Sequence, residues 1–80
     1  MIILYVMQTN PKIQKLAQAE VTNLCRDGYR VCGGSQTKRA GYYELKHLRN
    51  GKTLTVEWQT LPLACFSVVS KNKVCKVVYL

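Results

Sequence analysis

The chain predicts an α+β domain: a single amphipathic helix packed on one face of a mostly antiparallel sheet, in the order β-α-β-β-β-β-β. Two observations carry this. Apolar residues recur at spacings of three and four over residues 11–27. After them come short β-prone runs divided by Gly, Asn and Pro. A length of 80 residues suits one domain and not two, so 1–80 reads as a single unit.

Ile2–Met7 is β-prone and apolar on both faces, as in an inner strand. Asn10 can cap a helix, and Pro11 suits its first turn, where a missing N–H costs nothing. Ile13, Leu16, Ala17, Val21, Leu24 and Cys25 then form one stripe, flanked by Lys12, Gln14, Lys15 and Gln18. Arg26 complements the helix dipole, and Gly28 can take the left-handed stop.

Residues 29–32 read as a short strand. Gly33 to Gly41, with three glycines beside Lys38 and Arg39, reads as a flexible basic loop. Residues 42–48 and 53–60 form a hairpin about Asn50-Gly51, a preferred type I′ pair. A two-residue turn pairs His47 with Leu54, Leu45 with Val56 and Tyr43 with Trp58. A slip of one would turn the apolar set outward. Leu61-Pro62-Leu63 breaks the strand, and 64–70 with 74–80 form a second hairpin around Lys71-Asn72-Lys73, whose register the pattern leaves open.

Composition narrows the function. Hydrophobic residues make up 48% of the chain, which is globular and not disordered. Twelve Lys and Arg oppose four Asp and Glu, a net charge of +8, which concentrates polyanions such as nucleic acid or an acidic protein surface. No apolar run approaches the ~20 residues that span a bilayer, and the first is shorter than a secretory core. The expected setting is cytoplasmic, with reduced cysteines.

No catalytic constellation is legible. His47, the one histidine, shares its strand face with core residues, and nothing in sequence supplies a nucleophile or an orienting acid. The hairpin register sets Glu44 across from Glu57, Cβ atoms about 5 Å apart, close enough to share a proton or a divalent ion. On so basic a chain, a solvated face relieved by Lys46 is the preferred reading. Cys25, Cys32, Cys65 and Cys75 lack the Cys-x-x-Cys spacing of structural zinc, so they read as small core hydrophobes, and no metal or cofactor is expected. The glycine-rich stretch lacks the Gly-Lys-Ser/Thr ending of a nucleotide-hydrolysing loop, though its amides could grip a phosphate.

The cations fall at turns: Lys38 and Arg39 in the glycine stretch, Arg49 and Lys52 at the first hairpin tip, Lys71 and Lys73 at the second, Lys12 and Lys15 at the helix start. Tyr42, on the polar face of the first hairpin, is the candidate for stacking on a base. From Asn23 to Val56, the helix end, Gly28-Tyr29, Gly34-Ser35, Tyr43-Glu44-Leu45-Lys46-His47, Asn50-Gly51-Lys52 and Leu54-Thr55-Val56 resemble the small toxins of the HicA type. The resemblance, over less than half the chain, implies a fold like that of double-stranded-RNA-binding domains and contact with RNA. Gln36 stands where that family's catalytic histidine follows Gly34-Ser35, which argues against mRNA cleavage.

The expectation is thus a basic, non-enzymatic binding module. Its partner would be RNA or DNA backbone, or an acidic protein or nucleoprotein surface, and an exposed strand edge would allow a homodimer. In size and charge the chain is also similar to phage and mobile-element products, including anti-CRISPR inhibitors that bind a host complex. A small nuclease or toxin is the distant alternative.

Overall fold

The computed structural model describes residues 11–80. The strand expected over 2–7 and the cap expected at Asn10 lie outside the described residues. Helix α1 spans Pro11–Arg26, followed by β1 (Tyr29–Gln36), β2 (Ala40–His47), β3 (Thr53–Gln59), β4 (Cys65–Ser70) and β5 (Lys73–Tyr79). The strands form one antiparallel sheet in the order β1-β2-β3-β4-β5, with α1 across one face against β3, β1 and β4. This is the α+β arrangement expected. No described helix is long and apolar enough to cross a membrane.

The core is Ile13 and Ala17 from α1 with Leu45, Val56, Trp58, Phe66 and Val68 from the sheet, and Val21, Leu24, Tyr43, Leu54 and Val78 pack around it. Alternation in β3 and β4 turns Val56, Trp58, Phe66 and Val68 toward the helix. The helix stripe is narrower than its spacing suggests. Leu16 is 40% exposed and Cys25 is exposed, because the apolar contact of α1 with the sheet runs along Ile13, Ala17, Val21 and Leu24. None of the four cysteines is buried, so their reading as core residues is corrected.

The glycine stretch is strand rather than loop. β1 runs on through Gly33 and Gly34 to Gln36, with a bulge at Cys32, and only Thr37, Lys38 and Arg39 connect it to β2. Glycine is tolerated there because the neighbours leave no room for a side chain. A Cβ on Gly41 would lie 2.8 Å from both the Trp58 ring and the Gln36 Cβ.

The first hairpin is shifted from the expected register by two residues. Tyr43 pairs with Val56, Leu45 with Leu54 and Lys46 with Thr53. The loop is four residues, Leu48 to Gly51, closed by His47 N–H to Lys52 O (2.8 Å) and Gly51 N–H to His47 O (3.0 Å). Only Gly51 has positive φ there; Asn50 instead accepts the Lys52 N–H on Oδ1 at 2.9 Å. Because two residues restore the same face, the expected buried set survives the shift. The type I′ geometry appears in the other hairpin, at Lys71 (φ 47°) and Asn72 (φ 67°), which pairs Ser70 with Lys73. A bulge at Cys75 follows, between the Val69–Val74 and Val68–Lys76 pairs.

The second hairpin, expected over 64–70 and 74–80, is formed by β4 and β5; the toxin resemblance implies a helix at this place, a departure already legible in the sequence.

Candidate functional site

The register brings most of the basic residues to the two ends of the sheet. The β2–β3 loop and the β4–β5 turn leave the same end, since Lys46 pairs with Thr53, Thr55 with Val69 and Ser70 with Lys73. Two strand spacings separate the tips, about 10 Å. Arg49, Lys52, Lys71 and Lys73 therefore stand together, all exposed.

Three cations outside the sequence-based set join them. Arg30 pairs with Lys46 across β1 and β2, and Arg26 closes α1 at the same end, where Leu48 N–H donates to Gly28 O at 3.0 Å. The signal for these is the β1–β2 register, which the glycine-rich composition of 33–41 hides. These seven cations form no ion pair among the described residues.

Lys12, Lys15, Lys38 and Arg39 occupy the opposite end, about 25 Å away for an eight-residue strand. Gln14 Nε2 donates to Gln36 Oε1 at 3.4 Å, seating the helix start over the end of β1. The 37–39 connection is tight rather than floppy. The Arg39 and Ala40 N–H groups both donate to Thr37 Oγ1 at 3.3 Å, and Arg39 O accepts from the N–H (2.7 Å) and hydroxyl (3.0 Å) of buried Thr60. Those amides are committed, so the phosphate-gripping loop expected there is replaced by a fixed mount for two cationic side chains.

Between the ends lies the sheet face opposite α1. One row crosses all five strands: Ser35, Tyr42, Glu57, Ser67 and Val77. Tyr42 is 39% exposed, on the open face where stacking needs it. Around it is a groove of about 430 Å³ that also takes in Thr37, Gln59 and Cys65. Toward β5 the face turns apolar, with Val74, Val77 and Tyr79 exposed.

The acid–base candidates are dispersed or occupied. Glu44 faces Thr55 and Glu57 faces Tyr42, so the expected carboxylate pair does not form. The cause is the two-residue shift. His47 Nδ1 accepts the Arg49 N–H at 3.1 Å, which places the ring proton on Nε2, 3.0 Å from the Asp27 carbonyl. The Tyr29 ring meets it edge-on at 4.8 Å. Gln36 Oε1 accepts from Gln14 and from the Tyr43 hydroxyl. Among the described residues no three His, Cys, Asp or Glu side chains converge as metal ligands. Lys76 Nζ and Glu20 Oε1, 2.9 Å apart, tie β5 to the helix.

No known family model, curated protein or solved structure matches the chain.

Proposed function

We propose that the protein binds nucleic acid through its backbone, without cleaving it. The observation that carries this reading is the loop end, where Arg26, Arg30, Lys46, Arg49, Lys52, Lys71 and Lys73 stand exposed with no ion pair among the described residues. Unpaired exposed cations at that density release counterions on meeting phosphate, a favourable and sequence-independent term. Lys38 and Arg39 supply a second phosphate contact at the far end, and Tyr42 lies between as a stacking platform, whereas Lys12 and Lys15 stand on α1, across the sheet from that face. A strand laid along the open face meets cation, ring and cation in turn. The backbone engagement of His47 and the separation of Glu44 from Glu57 favour binding over hydrolysis. Four free cysteines, three of them exposed, suit a reducing compartment such as the cytoplasm.

The test is fluorescence anisotropy with labelled single-stranded and duplex probes at low ionic strength. Binding is expected, weakened about tenfold or more when Arg49, Lys52, Lys71 and Lys73 are all changed to Ala, with melting unaltered. Negligible binding to every probe overturns the reading.

A second reading rests on the β5 side of the open face, where Val74 (56%), Val77 (43%) and Tyr79 (67%) are exposed. Apolar area of that kind suits a protein partner, and the chain would then act as an inhibitor or adaptor on a host complex. A partner that resists nuclease treatment and is lost in Val77→Lys would favour it.

A further inference from the structure

The groove around Tyr42 holds one residue that a simple phosphate clamp does not need. Glu57 is exposed at its centre, flanked on the neighbouring strands by Tyr42 and Ser67, with Gln59 two residues on along the same face. It has no ion pair or hydrogen bond to another described residue. A carboxylate here repels a passing phosphate, so its presence favours a ligand that offers it N–H groups.

Such a ligand would be shaped by the row itself. Adjacent strands are about 4.8 Å apart, so a flat ring stacked on Tyr42 extends its edge over Glu57. A carboxylate accepts two parallel hydrogen bonds when the donor edge is planar and bidentate. Among the common bases only guanine presents two neighbouring N–H donors, N1–H and the 2-amino group, on its Watson–Crick edge. Unpaired bases show that edge only in single strands. The Ser35 and Ser67 hydroxyls remain for the base's acceptors or the sugar, while the Gln59 amide already donates to Leu63 O at 3.1 Å.

Resting on the nucleic-acid reading above, we propose that this groove takes a guanine base of a single strand, with Tyr42 stacking on the ring and Glu57 accepting from N1–H and the 2-amino group. Lys38 and Arg39, mounted on the connection whose Thr37 lines the groove, hold the adjoining phosphates.

The experiment measures affinity for labelled uridine oligonucleotides with one central guanosine, adenosine, cytidine or inosine, and for the thymidine counterpart carrying one deoxyguanosine. The guanosine probe should bind about tenfold more tightly than the all-uridine one, in the range of a bidentate base contact. Inosine, which lacks the 2-amino group, should fall between them. Glu57→Gln should bring the guanosine preference below about twofold while leaving melting unchanged and uridine binding at least as tight. A preference shared by the deoxyguanosine probe assigns recognition to the base, and one confined to RNA adds a ribose contact to it. Equal affinity for all probes overturns guanine recognition and leaves backbone binding standing, as does a preference that persists in Glu57→Gln. Failure to bind any probe removes the underlying reading as well.

Discussion

His47 joins three parts of the chain. Its Nε2–H reaches the carbonyl that ends α1, its Nδ1 receives the amide of the β2–β3 loop, and its ring rests against Tyr29 at the start of β1. His47→Ala should cost about 1–2 kcal/mol, the net worth of two such hydrogen bonds, in urea unfolding. A loss within error would show that the ring is incidental. Gly41 makes a sharper case, since the buried Trp58 indole and the Gln36 Cβ both lie 2.8 Å from where its side chain would start. Gly41→Ala must displace that ring from the core and should cost about 1–3 kcal/mol, as overpacking does. The indole Nε1 is itself buried without a partner among the described residues. Chemistry at this scale was legible in part. That His47 is structural follows from its strand face, but its partners come from two loops that no local pattern connects.

The two hairpins show what an element's own sequence decides and what it leaves to the sheet. Asn50-Gly51 is the stronger local type I′ signal, yet the tight turn forms at Lys71-Asn72. At the first hairpin the Asn50 side chain caps the Lys52 amide, and a four-residue loop satisfies the backbone while keeping Leu45 and Val56 inward. Period-two alternation fixes the face of a strand but cannot separate registers two residues apart. The buried set was therefore readable and the pairing was not. Asn50→Gly should accordingly destabilise by about 0.5–1 kcal/mol through loss of the side-chain bond. Lys71→Asn should stabilise by a similar amount, because Asn tolerates the left-handed region where Lys is strained. The reverse ordering in thermal melts would contradict the turn assignment. Helix α1 was the clearest element in the sequence, and its limit at Arg26 needed only Gly28, whose φ is 107°. The glycine stretch predicts a loop because propensity counts Gly against a strand, but packing overrides propensity where Trp58 needs the space. The two outer strands of the described sheet each carry a bulge, at Cys32 in β1 and Cys75 in β5, which disfavours edge-to-edge pairing through them.

For the molecule as a whole, charge is the dominant physical fact, and topology arranges it. A five-stranded antiparallel meander returns alternate turns to the same end, so cations far apart in sequence, from Arg26 to Lys73, come together without any local motif. The sign and size of the charge were legible from composition; that most of it divides between two ends was not, because it depends on the register of every strand. The two ends make separable contributions. Changing Lys38 and Arg39 to Ala should weaken binding to a long single strand but spare a short one that reaches only the loop end. The most direct measurement is the salt dependence of single-strand affinity for the natural chain and for the variant with Arg49, Lys52, Lys71 and Lys73 changed to Ala. Each phosphate contact contributes about −0.7 to the slope of log K against log salt. The slope should be steep for the natural chain and shallower by about 2–3 in the variant. Equal slopes, with both chains folded, would contradict a cationic loop end that grips the backbone.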